Sequence, residues 1–270
     1  MRKNKKSFYG LTIESIYKKI AIIIILLLFS INAFANINDC VNASKNENWQ
    51  KAIEYCKPLA NDNKNALVLL VEAYSEIDDR KSSQLYSQEY VDKFADIESN
   101  KKVLANMYTG LGNTYYFKGN GAKHDIKKGL KYITKGAQLG NSIAQEQLGN
   151  FYLAEGEYPA QNMAISYKWF EIASINGNQK AKQSYILTHL NDMKKQAGYC
   201  LAMGQQLVAE SYINGEAGLP VSDNQAKNYL IQSIELYKEN KELSKEVLKH
   251  CPPQKGLDLA SAEKLLASLQ

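Results

Sequence analysis

The sequence predicts an all-α fold, a superhelical array of antiparallel helix hairpins of the solenoid type. Three observations support this prediction: apolar residues recur at helical spacing from residue 36 onward, one stretch is repeated after 37 residues, and β-type alternation is absent. Because a single hairpin can bury its apolar side only against a neighbour, repeated hairpins are expected to stack along one continuous core.

Residues 1–35 are expected to form a signal peptide that is removed on export. A basic stretch is followed by an apolar run over residues 21–31 and by Ala33, Phe34 and Ala35, the small-x-small pattern of signal peptidase. The apolar run is shorter than the about 20 residues of a membrane span, so no stable membrane insertion is expected after cleavage. The long basic stretch keeps an alternative open, an inner-membrane signal anchor facing the periplasm.

The chain beyond the signal peptide has no net charge. The whole sequence has 33 basic and 28 acidic residues, and six of the basic residues and one acid precede residue 36. The remainder therefore has 27 of each sign. Without a cationic field, nucleic-acid binding is not expected.

Four cysteines in an exported chain predict disulfide bonds. Of the three possible connectivities we favour Cys40 with Cys56 and Cys200 with Cys251, because the turn "SKNEN" would fold one short helix back on the next. Free, buried thiols remain the alternative. No metal site is expected, since the sequence has neither a CxxC motif nor paired histidines.

Residues 36–100 are expected to form N-terminal helical hairpins that include the Cys40–Cys56 disulfide. The stretch "NWQKAIEYCKPLANDN" has the pattern of a second helix of a hairpin, and "ALVLLVEAY" ends with Tyr74 where the later units also have an aromatic residue. These stretches are therefore interpreted as diverged copies of the unit that follows.

The repeated stretch is "LGNTYYFKGNG" at residues 111–121 and "LGNFYLAEGEY" at residues 148–158. Leucine and tyrosine four residues apart lie on one face of a helix, and a second helical segment follows the glycine-bearing turn. Gly140 and Gly177 are placed to end that second helix in a left-handed cap. Each unit is therefore predicted to be a helix, a turn and a second helix.

Two glycines, Gly112 and Gly149, fall inside the first helix of their units. A glycine in a helix interior costs about 1 kcal/mol relative to alanine. Their equivalent positions indicate that a neighbouring helix passes too close for a side chain. Tyr132 and Trp169, also 37 residues apart, are expected to fill the space between hairpins.

These residues resemble Sel1-like repeats, which are relatives of tetratricopeptide repeats. The resemblance covers most of residues 37–250. Residues 101–190 are expected to form the Sel1-like repeats, and residues 191–270 a degenerate repeat with capping helices. In that copy Ala209 replaces the helix glycine, and the matching residues are Tyr212, Gly215, Gly218, Asp223, Ala226 and Tyr229. Gly149 and Ala209 are 60 residues apart, so an insertion with a kink or an irregular helix is expected around "LNDMKKQAGYC", residues 190–200.

The sequence has no catalytic constellation, so a non-enzymatic protein without a cofactor is expected. His124, His189 and His250 are scattered, and neither HExxH nor GxSxG occurs. The stretch "GNGAKHD" joins a glycine-rich loop to a His-Asp pair, but an interhelical turn explains its glycines.

The resemblance implies a concave groove lined by the first helices. The candidate groove residues are Thr109, Asn113, Tyr116 and Phe117 in one unit and Glu146, Asn150 and Leu153 in the next. Asn113 and Asn150 match the asparagine that contacts peptide ends in tetratricopeptide clamps, whereas Thr109 and Glu146 stand where basic residues would complete the clamp. A peptide backbone or a protein loop is therefore a better candidate ligand than a C-terminal carboxylate, and solvated polar positions remain the alternative.

The expected function is protein–protein interaction by an exported, periplasmic, non-catalytic module. The resemblance implies an adaptor or an immunity protein against a secreted envelope-targeting toxin, with a protein or peptide as partner. A cell-wall protein that binds or hydrolyses peptidoglycan, or binds penicillin, is the alternative, because some secreted cysteine-rich Sel1-like proteins have been linked to those ligands.

Overall fold

The computed structural model describes residues 36–119, 121–156, 158–177 and 198–269. Over these residues the secondary structure is helical, with no β-strand. The predicted signal peptide, and residues 190–197 of the predicted insertion, lie outside the described residues. The α-helices are α1 (Ile37–Lys45), α2 (Trp49–Cys56), α3 (Lys64–Glu76), α4 (Arg80–Phe94), α5 (Lys101–Tyr116), α6 (Ile126–Gln138), α7 (Ser142–Leu153), α8 (Met163–Ile175), α9 (Gly198–Asn214), α10 (Asp223–Glu239), α11 (Lys245–His250) and α12 (Leu259–Ser268).

The described residues divide into two compact units, the first ending at Ala73 and the second beginning at Tyr74. In the first unit α1 and α2 form a hairpin whose turn includes Glu47 in the left-handed region, at φ 54°. The side chains of Asn36 and Asn48 accept hydrogen bonds from backbone N–H groups and so begin the two helices. The hairpin brings Cys40 and Cys56 together in a disulfide with a Cα–Cα distance of 4.9 Å.

The second unit consists of helices packed in consecutive pairs. Helix α5 packs on α6, α7 on α8 and α9 on α10, and successive pairs are joined by packing of α4 on α5, α6 on α7 and α8 on α9. The buried residues from Leu130 to Ala262 form one continuous apolar cluster. This arrangement confirms the prediction of an all-α array of helix hairpins.

The tyrosine near the end of each first helix fixes the start of the second helix. The backbone carbonyl of Tyr115, Tyr152 or Tyr212 accepts a hydrogen bond of 2.9, 2.8 or 3.1 Å from the backbone N–H of Asp125, Asn162 or Ser222, respectively. Each donor lies ten residues after its tyrosine and caps the next helix through its side chain. The altered turn "EGEYPAQN" therefore keeps the length of the others. Tyr74 makes the same bond to the N–H of Asp79 at 2.9 Å, across a shorter turn.

The assignment of Asp223 to the family's aspartate position is corrected by this geometry. Ser222 is the residue that caps α10 and bonds to Tyr212, whereas Asp223 is the first residue of the helix. A serine hydroxyl caps a helix as well as an aspartate does, so residue type alone pointed to the wrong neighbour.

The glycines have the roles that the repeat predicts. Gly140 and Gly177 have φ values of 94° and 97° where α6 and α8 end, and the N–H of Asn141 donates to the carbonyl of Gly136 at 3.1 Å, which closes a Schellman-type cap. At Gly112 an added β-carbon would lie 2.7 Å from the backbone nitrogen of Ile133, so α6 does pass too close for a side chain.

The segment around α11 is tied to the array by covalent and polar contacts. A disulfide joins Cys200 of α9 to Cys251, with a Cα–Cα distance of 5.6 Å. The side-chain amide of Gln206 donates to the carbonyl of Gly256 at 2.6 Å. The imidazole of His250 contacts Gln161 and, at 2.8 Å, Glu246. Both cysteine pairs are those that the sequence favours.

Candidate protein-binding face

Asn113 lies on the open side of α5, in a pocket of about 430 Å³. The other residues that line this pocket are Ser75, Asp78, Arg80, Ser83, Gly110, Thr114 and Phe117. The side-chain oxygen Oδ1 of Asn113 is buried and accepts no hydrogen bond from any described residue. In this rotamer the oxygen is withdrawn from solvent, so a donor that enters the pocket reaches it once the Asn113 side chain turns.

The positive charge beside Asn113 is already balanced. The Nε of Arg80 donates to the Asp78 carboxylate at 2.9 Å, and the guanidinium lies alongside Gly119. The pocket therefore combines a neutralised ion pair with hydroxyl and amide groups. It lacks the excess of cations that would bind a carboxylate.

Thr109 does not face a groove, which corrects its assignment as a binding residue. Its side chain is buried, its Oγ1 donates to the carbonyl of Ala105 at 2.7 Å, and it abuts Gly136 of α6. The reason is the phase of α5: Thr109 and Gly112 are three residues apart and share the side that packs on α6.

Tyr116 and Phe117 form an aromatic cluster with Phe151 of α7. The Tyr116 and Phe151 rings stack with centroids 4.1 Å apart, and the centroids of Phe117 and Phe151 are 6.3 Å apart. Burial raises the pKa of the Tyr116 hydroxyl, whereas Phe117 leaves 43% of its surface exposed. The cluster therefore presents one accessible aromatic ring on a rigid base. Phe151 was missed because Thr114 occupies the equivalent position one repeat earlier.

Of the candidates on α7, Asn150 is exposed and Glu146 and Leu153 are half-buried. The Asn150 amide donates to the Glu146 carbonyl at 3.1 Å, and Leu153 packs against the apolar cluster. Gln147, which sequence reasoning missed, is half-buried, and its Oε1 accepts no hydrogen bond from a described residue. We call the surface formed by Gly110, Asn113, Phe117, Gln147 and Asn150 the groove face.

A charged residue follows the glycine position in the third repeated unit. Glu210 comes directly after Ala209, as Asn113 comes after Gly112, and it accepts a hydrogen bond from the Gln206 amide at 3.2 Å. Burial raises the pKa of the Glu210 carboxyl. Burial also lowers the pKa of Lys168 on α8, against the attraction of Glu216 and Glu210. The family pattern gave no reason to single out Glu210.

The chemistry available on the groove face is hydrogen bonding and aromatic packing. Its side chains are amides and one exposed ring, which can bind a peptide backbone and an apolar side chain. Among the described residues, no group of three or more His, Cys, Asp or Glu side chains is placed to hold a metal ion. Nor does any helix of the described ranges combine the length and the apolar composition that crossing a bilayer requires.

The family comparison decides what kind of repeat this is. The Sel1 repeat model matches residues 105–141, 142–178 and 198–237. The chain carries three Sel1 repeats. Sel1 repeats generally mediate protein–protein interaction, and their fold is typically a non-catalytic scaffold. The third Sel1 match covers α9 and α10, the stretch in which the sequence shows a degenerate copy.

Two solved structures are similar to this Sel1 chain. A Sel1 repeat protein from Oxalobacter formigenes is 16% identical, with coverage of 88% of this chain and 98% of that chain and a TM-score of 0.47. The protective antigen c5321 of uropathogenic Escherichia coli, which has an SLR fold, is 18% identical. The match covers 82% of this chain and 52% of that chain, with a TM-score of 0.44. This chain thus spans about half the length of c5321. No curated protein matches it.

Proposed function

We propose that this Sel1-repeat protein is an exported, non-catalytic interaction module that binds a partner protein or peptide on its groove face. In the periplasm it would act as an adaptor or as an immunity protein that covers a secreted, envelope-targeting toxin. The observation that carries the proposal is the pocket at Asn113, where a buried acceptor without a donor lies beside the exposed ring of Phe117.

A bound protein segment would provide a donor for the Asn113 oxygen and would cover the exposed Phe117 ring. A buried polar atom without a partner costs about 1–3 kcal/mol, which a backbone N–H from the partner would recover. An apolar side chain placed on Phe117 would remove its exposed surface from water at about 25 cal/mol per Å². Tyr116 and Phe151 hold that ring in place, so little ordering entropy is lost on binding.

Two further features support export and a protein partner. The two disulfides suggest an oxidising, exported environment. The zero net charge beyond residue 35 suits a surface that recognises one partner by shape and hydrogen bonding rather than any polyanion.

Affinity purification of the mature protein from its own cell envelope, followed by mass spectrometry, tests the proposal. We expect one dominant partner protein that is lost with the double variant Asn113→Ala/Asn150→Ala. The matched control is Lys131→Ala/Glu235→Ala, which removes two exposed side chains from the second helices α6 and α10. Equal capture of the partner by both double variants would show that it binds a surface other than the groove face. Bound muropeptide without a protein would favour the cell-wall alternative.

A further inference from the structure

Gly110 is a glycine inside helix α5 that packing does not explain. A β-carbon added at Gly112 would lie 2.7 Å from the backbone nitrogen of Ile133, whereas one added at Gly110 would meet no neighbouring atom of the described residues within 4 Å. Glycine is less favourable than alanine in a helix interior, so Gly110 lowers the stability of α5 without making room for another part of the protein. Glycine also allows a ligand to approach the backbone closely.

The space beside Gly110 is the pocket of about 430 Å³ that also contains Asn113. Its volume lies within the range of about 300–1,000 Å³ that is usual for ligand sites. Gln147 stands at the equivalent position of the next repeat, 37 residues later, so the Sel1 helix accepts a long side chain here. Such a side chain on α5 would occupy the pocket, and the glycine therefore leaves it open.

The polar groups of the pocket wall have no net charge. The hydroxyl groups of Ser75 and Ser83 are hydrogen-bonded to each other at 2.8 Å, and Asp78 and Arg80 form an ion pair. Thr114 Oγ1 donates to a carbonyl of its own helix at 2.8 Å, so its oxygen keeps lone pairs that can accept a hydrogen bond. The wall therefore favours an uncharged ligand group that ends in a hydrogen-bond donor.

Phe117, at the edge of the pocket, favours a ligand with an aromatic ring. It leaves 43% of its surface exposed, and the rings of Tyr116 and Phe151 lie 5.1 and 6.3 Å from its own ring, centre to centre. Two aromatic rings in offset or edge-to-face contact gain more than their buried area alone provides. A tyrosine side chain combines such a ring with a hydroxyl donor.

We infer that the pocket binds a tyrosine side chain of the partner protein, with its ring against Phe117 and its hydroxyl group at the Thr114 side of the wall. Gly110 determines this specificity, because it leaves space for the ring next to the backbone of α5. This inference rests on the proposed function and adds the residue by which the partner is recognised. It concerns a side chain of the partner and not its backbone.

Titration of the isotope-labelled mature protein with N-acetyl-L-tyrosinamide, followed by NMR, tests the inference. We expect saturable shifts of the amide signals of Gly110 and Thr114, with an affinity about tenfold higher than for N-acetyl-L-leucinamide. The variant Gly110→Gln, which places the residue of the next repeat in the pocket, should weaken binding of the tyrosine amide about tenfold. Lys131→Gln, which places the same residue on the exposed side of α6, is the matched control and should bind as the wild type does.

Two further comparisons separate the ring from the hydroxyl group. Phe117→Leu should reduce the preference for the tyrosine amide over the leucine amide to about threefold. N-acetyl-L-phenylalaninamide should bind the wild type more weakly than the tyrosine amide does, because it has no donor for Thr114, and Thr114→Val should remove that difference. Gly110→Gln should unfold at no lower urea concentration than the wild type, since glutamine is the better helix former.

The outcomes distinguish this inference from the proposed function. Equal affinity of the wild type for the tyrosine and leucine amides, an undiminished affinity of Gly110→Gln, or the absence of saturable shifts would overturn the inference. The proposed function would stand in each case if the partner is still lost with Asn113→Ala/Asn150→Ala. If that double variant captures the partner as well as its control does, the proposed function is overturned and the inference with it.

Discussion

The hairpins α5/α6 and α7/α8 have nearly the same sequence pattern but pack in different ways. Each has a glycine at the same position of its first helix, Gly112 or Gly149. At the facing positions of the second helix, α6 has Gly129 and Gly136, whereas α8 has Ser166 and Ala173.

The two glycines consequently have different neighbours. A β-carbon at Gly112 would lie 2.7 Å from the backbone nitrogen of Ile133 and 2.9 Å from the carbonyl oxygen of Gly129. A β-carbon at Gly149 would instead lie 2.6 Å from an edge atom of the Phe170 ring. The first hairpin is packed backbone against backbone, and the second is packed backbone against ring.

The second hairpin also has a polar contact that the first lacks. Ser166 Oγ donates to the Gly149 carbonyl at 2.7 Å, whereas the equivalent Gly129 has no side chain and approaches the backbone of Tyr116. The shared glycine therefore indicates that another atom lies close to the first helix. The residues of the second helix determine whether that atom belongs to the backbone or to a side chain.

The largest expected difference between the hairpins is in their tolerance of alanine. Gly112→Ala should lower the free energy of unfolding by about 3 kcal/mol, because the clash is with backbone that moves only if the helices separate. Gly149→Ala should cost only about 1 kcal/mol, since the Phe170 ring can shift and alanine is the better helix former. Urea denaturation followed by circular dichroism measures both.

Gly110→Ala is the control for this pair. It lies in the same helix, and no atom is within 4 Å of an added β-carbon, so alanine should stabilise the protein by up to about 1 kcal/mol. Equal losses for Gly112→Ala and Gly149→Ala would contradict the difference in packing.

The hydrogen bond of Ser166 gives the next effect. Ser166→Ala should destabilise the protein by about 1–2 kcal/mol, because the buried Gly149 carbonyl loses this donor. Ser233→Ala should cost a similar amount, since Ser233 Oγ donates to the Ala202 carbonyl at 2.7 Å in the third repeat. A negligible change in both chemical-denaturation midpoints would show that these two hydrogen bonds do not contribute to the stability of their hairpins.

Substitution of the helix-capping residue should cost the same stability in the two hairpins. The hairpins are therefore expected to differ in their packing and not in their caps. Asp125 and Asn162 begin α6 and α8 with almost the same backbone, at φ −155° and −153°. Each alanine substitution should cost about 1 kcal/mol in thermal or urea unfolding. If the two costs differed by more than the packing variants do, the turns rather than the glycines would distinguish the hairpins.

The smallest effect concerns charge. Lys131 in α6 is exposed, whereas the equivalent Lys168 in α8 is half-buried near Glu210. Burial raises the pKa of Glu210 above its ordinary value of 4.5, so the folded state binds this proton more tightly than the unfolded chain does. The stability that Glu210 contributes is therefore lost as pH rises through its folded pKa.

Glu210→Gln should accordingly gain stability relative to the wild type between about pH 4.5 and pH 7, by less than about 1 kcal/mol. Unfolding in urea at several pH values checks this, with Glu235→Gln as the exposed control. A difference that moves in the opposite direction would mean that Lys168 and Gln206 stabilise the carboxylate more than burial penalises it.

The sequence predicted the parts of the fold that depend on periodicity. Helical spacing, the glycine caps at Gly140 and Gly177, and the close approach at Gly112 all follow from residues 37 positions apart. The groove face was predicted less well, because it depends on side-chain direction. Thr109 faces α6 because it lies three residues before Gly112 and so shares its side of the helix.

Other groove residues had no signal in a single sequence. Phe151 and Gln147 replace Thr114 and Gly110 of the preceding repeat, so the repeat pattern gives them no special place. Their importance comes from what surrounds them: the stacked Tyr116 ring and a buried oxygen without a donor. Glu210 directly follows Ala209, so its position in the repeat could be predicted from the sequence, whereas its burial and its contact with Gln206 could not.

Site-specific photo-crosslinking in the cells that make the protein tests the central claim most directly. A benzophenone amino acid would replace Phe117 on the groove face or, in a separate variant, exposed Lys131 on α6. The account predicts one discrete protein adduct from position 117 and none from position 131. An adduct formed from position 131 alone would contradict it.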